Sequence, residues 1–421
     1  MKRTQFLALL LAAALCCAQF AACGAGGGGT GGGGGPDSSG GSGDGGPDGS
    51  DSSGDGGSGE STIKVGILAP LTGSVAQYGI NVSNGAKLFF EQLNADGGIG
   101  GKKVEIIEYD EEGDPAKAVT GYNSLVDRGV TAIIGDVTTA PTLAVVPEAY
   151  KDRMPMITAS ATAMAVTYNE ESGLVYDNMF RSCFIDPFQG EKMAYFALGA
   201  LGAMKAAVLF NTGSDYSIGV KDAFVENAGK IGLEIVASEG YANEAVDFQS
   251  QLTNIASKAP DVLFVPDYYE TIALVAQQAR SADLNANMLG VDGWDAVMTV
   301  VTDPSLLEGS YYCSGFSAED TTPEVRKFLN DFSYAYGEEP NMFNAQGYDA
   351  AMILADALKI AEWGEDATGS VAYREAVISA MKATDMECVT GHVTYDEYNN
   401  PEKTAVIINI TAGSAKFWGK F

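Results

Sequence analysis

The stretch from Ile63 to Pro115 constrains the fold more than any other part of the chain. Ile63–Leu68 alternates into an apolar strand and breaks at Pro70 and Gly73. Ala86, Leu88, Phe89, Phe90 and Leu93 then recur at helical spacing, which predicts an amphipathic helix. Gly97–Gly101 is a turn cluster, and Val104–Tyr109 reads as a second strand. Asp114 followed by Pro115 suits an N-cap with proline at the first helical position. A strand, a crossover helix and a second strand build a parallel sheet, so the class is α/β.

The same rhythm continues to about residue 310. Strands read Thr131–Ile134, Met156–Ala159, Ala206–Phe210, Glu234–Ser238, Asp261–Pro266 and Met288–Val291. Helical runs fall between them at Thr142–Lys151, Gly190–Leu201, Ser217–Ile231, Phe248–Ser257 and Thr271–Ala282. Beyond Gly315 the pattern changes to long helices, Pro323–Tyr336, Asn344–Glu362 and Tyr373–Thr384. The last segments, His392–Tyr395 and Thr404–Ile410, alternate and look hairpin-like.

What precedes residue 61 has a different character. Lys2 and Arg3 lead into an apolar core at Phe6–Leu15, which is signal-peptide length and too short to span a bilayer. Phe20-Ala21-Ala22-Cys23-Gly24 reads as a lipoprotein cleavage site, so residues 1–23 would be the signal peptide and its junction, with Cys23 lipidated. A plain secretory signal without lipid is the alternative. Residues 24–60 are mostly Gly, Ser and Asp, a composition that cannot bury enough apolar area to offset ordering entropy. Such a disordered linker would hold its ends roughly 30–36 Å apart.

Composition narrows the partners. Setting aside Lys2 and Arg3 from 25 cations, and Asp37, Asp44, Asp48, Asp51, Asp55 and Glu60 from 55 anions, leaves 23 against 49 and a charge near −26 for residues 61–421. That balance argues against nucleic acid and against anionic lipid surfaces, so membrane association would run through the lipid anchor alone. Cys183, Cys313 and Cys388 remain after processing, an odd number at spacings that match no zinc pattern. A Cys313–Cys388 bond and buried free thiols are both open. Asp110, Glu111, Glu112 and Asp114 follow a strand and precede Pro115, which suits a solvated turn better than a calcium loop.

The wording of residues 63–115 adds to this. The strand is followed by P-L-T-G, then A-Q-Y-G, N-G-A, N-x-x-G-G-I-x-G-K, Y-D and D-P-x-x-A, each at the spacing of one family. In these pieces the chain resembles the type I periplasmic solute-binding proteins of the leucine/isoleucine/valine-binding group. The resemblance implies two doubly wound parallel-sheet lobes joined by a three-strand hinge, with crossings near Cys183–Asp186, Cys313–Ser317 and Lys403–Ile408. Residues 61–185 and 317–404 would form the N-lobe, and 186–316 and 405–421 the C-lobe. Many relatives carry a disulfide at the positions of Gly113 and Thr138, which this chain cannot form.

Open α/β sheets bind ligands at the carboxyl ends of their strands, and here those ends are unusually polar or aromatic. A ligand α-carboxylate could take hydrogen bonds from the hydroxyls of Thr139 and Thr162 and from main-chain N–H groups near Thr139 and Ser160. The helix opening at Pro141 adds its positive end. An α-ammonium needs a buried carboxylate, for which Asp292 is the candidate. Tyr78, Tyr216 and Tyr268 would wall the ligand side chain, with Trp294 as a bulky neighbour. The resemblance implies binding roles for Tyr78, Thr139, Ser160, Thr162, Tyr216, Tyr268 and Asp292, where Thr139 stands for a serine, Ser160 for an alanine and Asp292 for a glutamate. Helix capping by Thr138 or Thr139, interlobe packing by the tyrosines and a turn role for Asp292 are the structural alternatives.

The function these features imply is capture of an amino acid, of branched-chain type, for the membrane subunits of an ABC permease, by a monomer that needs no cofactor. A binding protein that presents another small polar solute, such as an aromatic amino acid, an amide or a urea-like compound, to a receptor is the alternative. Catalysis has little to stand on. His392 is the one histidine, and neither G-x-S-x-G nor H-E-x-x-H occurs. Gly97–Lys103 departs from a phosphate-binding loop at Asp96 and at Lys103.

Overall fold

The computed structural model describes residues 62–361 and 369–421; the expected signal peptide, Cys23 and the Gly-rich segment lie outside them. The first sheet is built from β1 (Ile63–Ala69), β2 (Val104–Asp110), β3 (Ala132–Ile134), β4 (Met156–Thr158) and, after the small ribbon β5–β6 (Tyr168–Asn169 and Leu174–Val175), β7 (Met179–Arg181). Its order is β2-β1-β3-β4-β7, with every neighbouring pair parallel. Every residue of β1 except Lys64 is buried, as a strand covered on both faces requires. The strand order turns back between β1 and β3, which opens a crevice at their carboxyl ends.

The second sheet takes β8 (Lys205–Asn211), β9 (Glu234–Tyr241), β10 (Val262–Phe264), β11 (Asn287–Gly290) and β12 (Ser310–Ser314). Later in the chain, β13 (Asp385–Cys388) and β14 (Gly391–Thr394) form a separate antiparallel hairpin. β15 (Val406–Thr411) and β16 (Ser414–Lys420) then join the second sheet, whose order is β16-β15-β12-β11-β10-β8-β9. The two terminal segments that read as one hairpin therefore do not pair with each other. Each has its own partner, β13 for one and β12 and β16 for the other. Alternation fixed which faces they bury but carried nothing about which strand they pair with.

Helices fill the faces of both sheets. They are α1 (Ala76–Ala95), α2 (Pro115–Asp127), α3 (Thr139–Lys151), α4 (Asp186–Gly199), α5 (Asp215–Ile231), α6 (Gln249–Ser257), α7 (Tyr269–Ser281), the single turn α8 (Val297–Val300), α9 (Pro323–Tyr336), α10 (Met342–Ile360) and α11 (Val371–Lys382). α2 starts where the sequence predicts it: the Asp114 side chain accepts from the N–H groups of Ala116 and Lys117 at 2.8 and 2.9 Å, and Pro115 follows. α10 returns from the second sheet to pack along α1 at very close range. A Cβ on Gly85 would stand 1.9 Å from the Asn344 carbonyl oxygen, and one on Gly347 would stand 2.2 Å from that of Val82. Only glycine permits that backbone contact.

Cys183, Cys313 and Cys388 are all buried free thiols, so the Cys313–Cys388 bond is not formed. Burial pushes each thiol up, which makes them inert small hydrophobes. Among the described residues no helix is long and apolar enough to cross a membrane.

Candidate ligand-binding site

The carboxyl ends of β3 and β4 in the first sheet meet those of β8, β10 and β11 in the second around one cavity. The rings and loops close in on it, leaving a volume of about 10 Å³, room for about one water, and Tyr78, Val137, Thr138, Thr139, Ser160, Thr162, Tyr216, Tyr268, Asp292, Gly293 and Phe343 line it. Seven of the eight residues singled out in the sequence thus stand together. The lining holds one carboxylate and no cationic side chain.

One end of the cavity is made of neutral donors. α3 begins at Thr139, so its first N–H groups and its positive end face the cavity. Thr138 occupies the N-cap position, yet its side chain makes no capping bond. The capping alternative therefore does not account for it. Ser160 is tied down by its hydroxyl, which donates to the Val137 carbonyl at 2.7 Å, and its own N–H reaches Thr158 Oγ1 only at 3.3 Å. Thr162 is buried, with its hydroxyl beside the Asp186 carboxyl. Tyr268 reaches across to the backbone N–H of Thr139 from the other side.

The opposite end holds Asp292, in a tight turn after β11. Its Oδ1 accepts from the Tyr216 hydroxyl at 2.6 Å and from the Gly293 N–H at 2.9 Å, while its own N–H donates to Gln189 Oε1 at 2.9 Å. Burial pushes the carboxyl up to about 6, against the hydrogen bonds that favour its charged form. At neutral pH it is ionised, buried and without a cation, which suits it to an ammonium group.

Aromatic rings wall the space between these ends. Tyr216 and Tyr268 stack at 5.0 Å with planes 10° apart. Tyr78 packs on Phe343 at 4.5 Å. Its hydroxyl donates to the Gly293 carbonyl at 2.5 Å and accepts from the Tyr269 N–H at 3.1 Å, which ties α1 to the loops of the second sheet.

Trp294 is the exception among the eight. It is fully buried, and its indole N–H donates to the Val265 carbonyl at 2.8 Å. The ring lies against Gly290, where a Cβ would come within 2.1 Å of it, so it turns into the second sheet and away from the cavity. The side chain after the Asp292-Gly293 pair points to the other side of the turn, a reversal that spacing in the sequence cannot reveal. Phe343 and Gln189 are the residues that sequence reasoning missed. Phe343 sits in the first turn of α10, whose start is marked by a reciprocal cap between Asn341 and Asn344. That N-x-x-N pattern was the available signal.

The acidic turn after β2 also departs from expectation. Asp110, Glu112 and Asp114 do face outward, but Glu111 is fully buried against Asp136. Among the described residues, no group of His, Cys, Asp or Glu is arranged to hold a metal ion.

Residues 62–415 match the periplasmic binding protein family. A Leu/Ile/Val-binding protein homologue from Brucella melitensis is 32% identical over 80% of this chain and 87% of its own length. The Leu/Ile/Val-binding protein BraC3 of Rhizobium johnstonii is 29% identical over 80% of this chain and 88% of its own. Among solved structures, the LivJ substrate-binding protein of Streptococcus pneumoniae, in complex with isoleucine, is 31% identical with a TM-score of 0.76, covering 85% of this chain and 98% of that one. The leucine-binding protein LivK of Thermotoga maritima is 29% identical with a TM-score of 0.77, covering 86% of this chain and 99% of that one. The family binds solutes outside the cytoplasm and does not catalyse reactions, and the paired α/β sheets with a cavity at their facing strand ends agree with it. The chain belongs to the type I periplasmic solute-binding proteins, in their leucine/isoleucine/valine-binding group.

Proposed function

We propose that this protein captures a branched-chain amino acid outside the cytoplasm and delivers it to the membrane subunits of an ABC permease. The observation that carries the reading is the polarity of one cavity. A buried ionised carboxylate at Asp292 stands at one end, uncharged donors at the start of α3 and at Thr162 stand at the other, and aromatic rings lie between. An α-amino acid has that same order of charge, with ammonium to Asp292 and carboxylate to Thr139, Thr162 and the N–H groups near Ser160. Tyr78, Tyr216, Tyr268 and Phe343 would exclude water from the aliphatic side chain. The isoleucine in the Streptococcus pneumoniae relative supports the same ligand class.

In this reading residues 61–185 with 317–404, and 186–316 with 405–421, are two lobes that close on the ligand. Cys23 carries the lipid, and two or more acyl chains suffice for stable anchoring. The test is calorimetric titration of residues 61–421 with leucine, isoleucine and valine. Saturable binding of at least one, with a raised melting temperature, is the expected result. No heat and no thermal shift with any of the twenty amino acids at millimolar concentration would overturn the reading.

A further inference from the structure

Behind the cavity, Glu111 and Asp136 stand out. Both side chains are fully buried, and they belong to neighbouring loops at the carboxyl edge of the first sheet. Their acidic neighbours are all engaged elsewhere. Asp110 accepts from the Leu71 N–H at 2.8 Å and the Thr72 hydroxyl at 2.7 Å, Glu112 pairs with Lys117 at 2.6 Å, and Asp114 caps α2. Glu111 alone turns inward, where its buried carboxyl faces the buried carboxyl of Asp136. Both Glu111 oxygens and Asp136 Oδ2 lack a hydrogen-bond partner among the described residues, the N–H groups of Gly113 and Asp114 being nearby without pairing with them. Two ionised carboxylates are acceptors only, so two that face each other in a buried place can satisfy one another only through a proton between them.

Asp136 is also the knot of the segment that faces the ligand. Its Oδ1 accepts from the Val137 N–H at 2.5 Å, and its carbonyl accepts from the Thr158 hydroxyl at 2.5 Å. The next carbonyl, of Val137, accepts from the Ser160 hydroxyl. Val137, Thr138 and Thr139 on one strand end, and Ser160 and Thr162 on the next, all line the cavity. We infer that Glu111 and Asp136 are positioning residues: one proton shared between their carboxyls holds the two strand-end segments that receive the ligand's carboxylate, and losing that proton loosens them. The inference rests on the amino-acid reading of the site.

The surroundings bias the pair toward keeping its proton. Burial pushes Glu111 from about 4.5 up to about 7, with the nearby Asp110 charge acting the same way, while the proton shared with Asp136 and the N–H groups of Gly113 and Asp114 act against it. Burial also pushes Asp136 well up, with the Glu111 charge adding to it and the Val137 N–H opposing. Because the folded protein holds a proton that the unfolded chain releases, this pair's contribution to stability falls as pH rises from about 4.5 to about 7.

The experiment compares the natural protein with Asp136→Asn and Glu111→Gln, each of which replaces the shared proton by a permanent amide N–H. Leucine affinity and the ligand-free melting temperature are measured from pH 5 to pH 8.5. The natural protein should lose about tenfold in affinity between pH 6.5 and 8.5, the equivalent of one pKa unit. Both variants should lack that decline, and their ligand-free melting temperature should fall less with rising pH. Parallel affinity profiles in all three proteins would overturn the inference, even with altered melting curves, because the pair would then be structural only. If leucine fails to bind at every pH, the amino-acid reading fails by itself. The ligand-free curves then decide: unaltered slopes in both variants overturn the shared proton, and flattened slopes support it.

Discussion

The two ends of the cavity solve opposite problems with different materials. The end built on β3 and β4 lines the cavity with uncharged groups only, the open turn of α3 and the hydroxyls of Ser160 and Thr162. The end built on β11 has a full charge, kept ionised in a buried place by Tyr216 and the Gly293 N–H. A helix terminus offers several weak partial charges that no pH change removes. A lone carboxylate is stronger, but it titrates. Ligand capture should therefore be steep in Asp292 and shallow in any one donor opposite.

Asp292→Ala breaks the comparison most. It should weaken binding of leucine by at least about tenfold, since the loss of a buried partner for an ammonium costs a few kcal/mol. Titration calorimetry at pH 7.5 measures it, and affinity within twofold of the natural protein would remove Asp292 from the site.

The acid limb comes next. If Asp292 receives the ammonium, binding needs it ionised, and burial holds it at about 6 in the free protein. Leucine affinity should then be fully present above that value and fall by about tenfold for each further pH unit below it. Tyr216→Phe removes the 2.6 Å donor and should move this midpoint upward. An unmoved midpoint would assign the acid limb to another group.

Single donors at the other end should matter less. Thr162→Val keeps the shape and removes one hydroxyl, for a loss of about 1 kcal/mol or roughly fivefold. A loss as large as that of Asp292→Ala would show that the load is not distributed. Trp294→Phe should have the smallest effect on binding, below about twofold, because the indole faces the second sheet and does not line the cavity. It should still lower the melting temperature through the lost Val265 hydrogen bond and packing.

Much of this was legible in the sequence because it is local. The β1-α1-β2 unit, the Asp114-Pro115 start of α2 and the polar strand ends all follow from periodicity and turn chemistry within a few residues. The strand-end rule together with the family resemblance then selected seven lining residues, Tyr78 on α1 through the resemblance alone, with no knowledge of how they face one another. What stayed hidden depends on distant partners. Trp294 turns away because Gly290 leaves room for it, and Glu111 turns inward because Asp136 is there. The terminal strands find β12, β13 and β16, pairings that alternation cannot encode.

The place where the described chain begins has a mechanical consequence. Thr62 leads directly into β1 at the edge of the first sheet opposite the cavity, and β1 lies between β2 and β3 in parallel register. A pull transmitted through the chain before Thr62 would run along β1 and load both flanking ladders in shear, where many hydrogen bonds must yield together. It would not pry apart the strand ends that enclose the cavity. A load arriving from that side would leave the walls of the cavity where they are.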